Sequence, residues 1–432
     1  MLTRAPLALC LLIGLGGLFI GVTGPLLSAF LPPLVRTAIG DHRTAVGAVM
    51  AIDNGLLLVL VPWTGAASDR ARARGRGRLP LVLAGFGMAA VGMAVLPPAA
   101  ASFGLAGLLP AMILLYTGIN VSRSPFQALV ADVVPSRQRS LATGSVTFQM
   151  CVGAIGFLML GRALGMQSAF LIAAATVLMI AGVFAVTLRE SNAGIQPAAA
   201  GVPEPEPSGA ALAEAAMSAV RGTVPGLRAV FIASLLLQLT FQTFTTWYAL
   251  HGTERFGVPP EDVTIGMIAW AVGGVLGALP AGFIGVRLGR RNAMVAGFAL
   301  MSLCLIALHG VATPAQATPL LAAAAAAWTL PFVNAYPLFV EPIPQQRRGV
   351  LAALFVLSQA LGGLIGDPLN GLLFDLFGSY RPLFLMMVGY TVCAFVAVLF
   401  VPRGAGEADT GPAVEQATPE KMGAITPARA AT

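Results

Sequence analysis

The sequence predicts an all-α membrane protein of twelve transmembrane helices in two six-helix, pseudo-symmetric bundles. Composition is the first reason: of 432 residues, 57% are hydrophobic and only 10% charged, and mean hydropathy is +0.84, whereas soluble domains carry roughly 25% charge. The second reason is length. Crossing hydrocarbon takes about 20 apolar residues per helix, and twelve such segments can be placed, at about residues 7–31, 44–64, 80–98, 103–131, 140–161, 167–188, 227–250, 262–286, 292–311, 317–340, 350–374 and 380–401. Barrel strands would be shorter and would alternate, so helices are expected. The third reason is an internal echo. Gly65-Ala66-Ala67-Ser68-Asp69-Arg70 with Gly75-Arg76-Gly77-Arg78 is matched in layout by Gly282 to Arg291, 217 positions on (282 minus 65). Asp132, Pro135 and Arg139 return as Glu341, Pro344 and Arg348, and Gln149, Gly153, Gly156 and Gly161 return as Gln359, Gly363, Gly366 and Gly371.

Taken in order, the first segment follows Arg4, and its apolar run exceeds the core of a secretory leader, so it is read as a span. Residues 1–188 then form the first six-helix bundle. The stretch 189–226 is rich in Ala, Pro, Gly and Glu and is expected to be a largely disordered cytoplasmic linker. Residues 227–401 form the second bundle, and 402–432 a disordered cytoplasmic tail. The remaining loops are short, which makes neighbouring helices antiparallel. Basic residues fix the orientation. With the amino terminus inside, the outer loops hold only Arg36, Arg43, Arg162, Arg255 and Arg381, and Arg123 lies within a span. The other 19 of 25 (25 minus 6) fall on the inner side, so both termini are expected in the cytoplasm of a plasma-membrane protein.

Several function classes drop out. The net charge of +7 reports topology, not a nucleic-acid partner. Lys421 is the only lysine and lies in the tail, so no phosphate-binding loop of the G-K-[ST] kind exists. His42, His251 and His309 are scattered, and Cys10, Cys151, Cys304 and Cys393 lie apart inside spans without metal-ligand spacing. No enzyme activity, cofactor or metal is expected. Two membrane-embedded halves in near-register are instead how parallel-repeat secondary transporters are built. The expected partners are a small-molecule substrate, protons and the lipid bilayer, and the expected state is a monomer.

Gly65-x-x-x-Asp69-Arg70 and the following Gly-Arg run resemble the loop between the second and third helices of the major facilitator superfamily. Gly65 would permit close helix approach, and Asp69 would sit at a helix end among arginines able to pair in one state and part in another. Val286 stands at the equivalent of Asp69 in the second half. Ile52-Asp53-Asn54, Pro62 to Asp69, Arg123-Ser124-Pro125 through Pro135, and Tyr380-Arg381-Pro382-Leu383-Phe384 are similar to bacterial relatives of the sucrose/proton symporters, which neighbour the glycoside-pentoside-hexuronide symporters. The resemblance implies a sugar substrate.

Asp53 is the leading candidate for coupling. It lies about 13.5 Å along its span from Thr44, near mid-bilayer, where an ionised carboxylate costs about 2.5 to 3.5 kcal/mol unless it faces water or a partner. Asn54 is grouped with it; a static hydrogen bond through Asn54 is the competing reading. Asp367 precedes Pro368 about 25 Å along the eleventh span, which suits an outer gate or a simple helix break. Arg123, about 30 Å along the fourth span, is read as a gating partner or an anchor, with Gln127 on its face as a candidate substrate contact. Asp69, Arg70, Asp132, Arg139, Glu341 and Arg348 are the expected inner gate, with Asp132–Arg139 and Glu341–Arg348 as repeat-related pairs. Gln238, Gln242, Trp270, Asn334 and Tyr336 are candidate sugar ligands, since amides bond hydroxyls and aromatic faces stack on pyranose rings. Trp247 and Tyr248, near a span end, read as interfacial belt residues. The preferred function is proton-coupled symport of a sugar or similar polar solute by alternating access. Proton-driven efflux of a lipophilic compound is the alternative, and a non-transporting receptor or scaffold the third.

Overall fold

In the computed structural model, residues 6–134, 139–188, 226–340 and 348–402 are described, with side chains for all but 6, 139, 140, 279, 339, 340 and 348–353. Within these bounds the chain is helical almost throughout, because backbone N–H and C=O groups in lipid have no water to bond and must be satisfied inside the segment. The helices are α1 (Pro6–Ile39), α2 (Arg43–Met50), α3 (Ile52–Ala73), α4 (Leu79–Phe103), α5 (Leu105–Val133), α6 (Arg139–Thr187), α7 (Leu227–Phe256), α8 (Pro260–Leu288), α9 (Arg290–His309), α10 (Pro314–Val340), α11 (Arg348–Phe377) and α12 (Leu383–Leu399).

Helix and span do not map one to one. The second span is α2 plus α3, joined at Ala51, where the ladder continues through Ala51 N–H to Gly47 C=O and Gly55 N–H to Ala51 C=O. The fifth and sixth spans are both α6, interrupted only at Gly165 with φ 78° and ψ 168°. That backbone suits glycine and not a residue carrying Cβ. Nine helical stretches among the described residues are long and apolar enough to cross a membrane, one being the doubled α6, and α12 is a shorter apolar helix. Several boundaries differ from expectation, among them the ends of α3 at Ala73 and of α7 at Phe256, nine and six residues beyond the expected 64 and 250. α1 runs eight residues beyond Leu31, through Pro32 and Pro33, to Ile39, and α12 begins only at Leu383. The delay at α12 has a cause: Tyr380 N–H donates to Glu254 Oε2 (3.0 Å), Ser379 Oγ donates to Glu254 Oε1, and the Tyr380 carbonyl pairs with His251 Nδ1 (2.8 Å), which together hold the preceding turn. The expected linker and tail lie outside the described residues.

The helices pack as two six-helix bundles, α1–α6 and α7–α12. Lipid offers no hydrophobic drive between helices, so small residues that admit close backbone approach set the packing. A Cβ on Gly17 or Gly21 of α1 would collide with the carbonyls of Val146 and Met150 on α6, and one on Gly273 of α8 with that of Ala322 on α10. Aromatic stacks fill what remains: Phe19 on Phe86 (4.1 Å between centroids) in the first bundle and Phe244 on Trp270 (4.1 Å) in the second.

We call the membrane face on which α1 begins proximal and the opposite face distal. One apolar core runs through the first bundle and continues into the distal part of the second, including Trp247, Tyr248, Phe374 and Tyr380. The proximal part of the second bundle has a separate core of Leu227, Phe298, Leu338, Leu354 and Val398. Among the described residues, the buried apolar core therefore joins the halves distally and is separate proximally.

Candidate functional site

Two carboxylates, one from each bundle, lie near the junction of the halves. Asp53 on α3 is half-buried, and its Oδ1 accepts from Asn120 Nδ2 on α5 at 2.9 Å. The same Asn120 nitrogen donates to the Tyr116 carbonyl (2.9 Å), which fixes the amide. Asp367 on α11 is completely buried. Its Oδ2 accepts from Gln242 Nε2 on α7 at 2.9 Å, Trp247 Nε1 lies beside the carboxyl, and Oδ1 has no hydrogen-bond partner. The two acids are near enough to feel each other's charge, Tyr116 feels both, and Asp53 also feels Arg123. Around Asp367 the framework is stiff. Asn370, one turn along α11, donates to Thr243 Oγ1 on α7 (2.7 Å) and accepts from the Tyr390 hydroxyl on α12 (2.8 Å). A satisfied buried network of this kind rigidifies the helices that carry it.

The distal face is sealed by contacts between the halves. Asp375 on α11 caps the start of α2: its carboxylate accepts from Arg43 N–H (3.0 Å), Thr44 N–H (2.8 Å) and Thr44 Oγ1 (2.6 Å). α2 has no side-chain cap of its own at His42, so the cap comes from the other bundle. Arg43 also donates to the Gly378 carbonyl (3.0 Å) and lies over the Tyr380 ring (4.8 Å), and Arg162 faces Asp262 at 3.4 Å. Gly47 against the Asp367 carbonyl and Gly371 against the Arg43 carbonyl let α2 and α11 touch at the backbone. Further in, Asn54 packs on Gly363. Asn54 thus touches the opposite bundle and does not reach Asp53.

On the proximal face the Asp69 cluster stays within the first bundle. Arg78 bonds Asp69 and Ser68 Oγ (2.8 Å) and reaches Asp132 Oδ2 (2.8 Å), which also pairs with Arg72 (2.8 Å). Burial alone would lower the Arg78 pKa, but the bonds to Asp132 and Asp69 outweigh it and raise it. Gly65 faces Ser124 Oγ on α5, the close approach expected of it. Arg70 is exposed and takes no part in this cluster. The expected pairs Asp132–Arg139 and Glu341–Arg348 depend on side chains outside the described residues. Asp132 is instead shared by Arg72 and Arg78, neither of which the sequence pairing anticipated.

The other candidates separate clearly. Arg123 and Gln127 are exposed on one face of α5, one turn apart, on the proximal side of Asn120. Arg123 lies nine residues before Asp132, about 13.5 Å of helix, and so stands inside α5 and not at its proximal end. Gln242 serves Asp367. Gln238 is half-buried against Gly362 of its own bundle. Asn334 is buried and donates to the Ala281 (3.2 Å) and Leu330 (2.9 Å) carbonyls, and Gly285 lies against it, so it joins α10 to α8 and does not reach the junction. Trp270 is buried in the aromatic core, and Tyr336 is exposed beside Phe355. Trp247 and Tyr248 are fully buried, not interfacial. Asn120, Asn370 and Asp375 were missed; a buried asparagine in an apolar span is the only sequence signal the first two give.

A family model described as the Major Facilitator Superfamily matches residues 7–277 and 230–429. The chain belongs to the major facilitator superfamily. Compared with curated protein sequences, it has no significant match. Among solved structures it is similar to a bacterial homologue of the human lysosomal transporter Spinster in an inward-facing, unoccupied conformation, with TM-score 0.71 and 15% identity over 92% of this chain and 96% of that one. It is also similar to the nucleoside transporter NupG (TM-score 0.69, 15% identity, 92% and 99% covered) and to a D-xylose-proton symporter (TM-score 0.67, 16% identity, 92% and 98% covered). At these identities the likeness speaks for the fold, and the superfamily fold agrees with the two-bundle architecture.

Proposed function

We propose that this superfamily member is a proton-coupled secondary transporter that carries a small polar solute, of which a sugar is the leading class, by alternating access. The observation that carries the reading is the pair Asp53 and Asp367, one acid from each bundle near the junction of the halves. Burying an ionised carboxylate with no cation beside it costs several kcal/mol, and a bound proton removes that cost at Asp367. Asp53, half-buried and held by one amide bond, is the less enclosed of the two acids. Rocking the bundles would change the separation and the water access of the two acids together, which links proton occupancy to the conformational equilibrium.

The basic-residue bias supports a cytoplasmic proximal face. On that orientation the distal contacts between the halves support an inward-facing reading of this conformation. The test is uptake into proteoliposomes under an imposed inside-alkaline pH gradient, screened over sugars, polyols, nucleosides and cationic dyes. Accumulation of a polar solute that collapses with the gradient supports the reading. Dye movement alone, or solute movement indifferent to the gradient, would remove it.

A further inference from the structure

Arg123 is the only arginine or lysine in the interior of a predicted span, Arg228 and Arg381 each being the second residue of theirs. It is exposed, and among the described residues it has no hydrogen-bond or ion-pair partner, although it is close enough to Asp53 to act on its charge. A guanidinium within a span that faced lipid would be costly, so its exposed side is read as facing the space between the bundles. The stripe Tyr116, Asn120, Arg123 and Gln127, at spacings of four, three and four, puts it on the face of α5 that leads up to Asp53. A guanidinium has five N–H donors in a planar fork suited to a carboxylate or phosphate. Asp53 gives one oxygen to Asn120, and no ion pair joins it to that fork among the described residues. Gln127, one turn on and also exposed, adds an amide beside it.

We propose that Arg123 is the anion-binding element of the solute site and that the transported solute carries a carboxylate or a comparable monoanionic group. This rests on the transport reading above. The charges that these groups sense at the junction are those of Asp53, Asp367 and Arg123, with Tyr116 as the other titratable neighbour. With both acids ionised the set is net negative and repels an anion. With both protonated it is net positive and attracts one. Proton and anion would then load together, because each lowers the electrostatic cost of the other.

The test uses matched probes on the full-length protein in a phosphate-free maltoside detergent, which leaves no lipid headgroup to occupy the site. D-gluconate, D-glucitol and D-glucamine form one anionic, neutral and cationic series, and D-glucuronate, D-glucose and D-glucosamine another. Thermal stabilisation by an acid of either series is expected. Arg123→Gln should weaken it about tenfold or more, the worth of one charge-assisted hydrogen bond, Arg123→Lys should keep part of it, and Asp53→Asn should strengthen it. If Arg123→Gln does not fold, the lysine and Asp53→Asn arms decide. Stabilisation by neutral or cationic probes only, an acid effect unchanged in Arg123→Gln or weakened in Asp53→Asn, or no effect from either series would overturn the proposal. Acid binding without gradient-driven uptake of that acid would keep the anion site and remove the transport reading.

Discussion

Asp375→Ala should open the distal face. The carboxylate holds α2 of one bundle from α11 of the other through three bonds of 2.6 to 3.0 Å, and it is the only side-chain cap at that helix start among the described residues. Losing a helix cap typically costs about 1 kcal/mol and up to about 2, and the favourable position of a negative charge at a helix start adds about 0.3 to 1. Asp375 is one-third exposed, so solvent screens part of this and about 1 to 2 kcal/mol remains. All of that energy belongs to the distal-closed form, because the contact spans the bundles. The ratio of distal-open to distal-closed molecules should therefore rise roughly 5- to 30-fold. Spin labels at Thr37→Cys and Thr253→Cys, on opposite walls of the distal cleft, in a background lacking the four native cysteines, would read this as a longer-distance population. Thr44→Ala, which loses only the hydroxyl bond, should give a smaller shift. An unchanged distance distribution in Asp375→Ala would show that the cap does not hold the gate.

Four further outcomes are expected. Distal closure should not weaken between about pH 8 and pH 5 through Asp375. Burial alone would raise its pKa, but the Thr44 and Arg43 bonds outweigh burial and hold it below the usual value, and a lowered acid loses its contribution only as pH falls through that lowered value. Opening near pH 6 that persists in Asp375→Asn would place the pH sensor elsewhere. Asp53→Asn should abolish gradient-driven accumulation while exchange without a gradient continues, and surviving accumulation would remove its coupling role. Asp69→Asn should slow turnover and Val286→Ala should not, since Val286 is exposed and makes no comparable ion pair; equal effects in uptake rates would contradict this. Gly17→Leu should reduce inserted, monodisperse protein on gel filtration, because its Cβ would meet the Val146 carbonyl; normal yield would show that α1 and α6 can part without loss.

The fold was legible because a bilayer imposes length and apolarity directly on sequence, and because the two halves kept matching glycines and charges. Boundaries at Pro32-Pro33 and Ser379 were not, since they depend on tertiary bonds such as Glu254 to Tyr380. Asp53 could be found by counting residues into the membrane. Asp367 could be located the same way but not understood: depth along a helix does not say which neighbour its side chain meets, and its partner Gln242 lies 125 residues away. Trp247 and Tyr248 read as belt residues because position near a span end is ambiguous between lipid and bundle interior. Asp375 escaped notice because a helix cap donated from another bundle leaves no local pattern.

Infrared difference spectroscopy in the protonated-carboxyl region is the most direct test of proton storage at the junction. The wild type near neutral pH should show a band from a protonated acid in an apolar setting, absent in Asp367→Asn, and a second band that changes with solute and is absent in Asp53→Asn. A spectrum without a protonated-carboxyl band, or one that both substitutions leave intact, would contradict the coupling role of the pair.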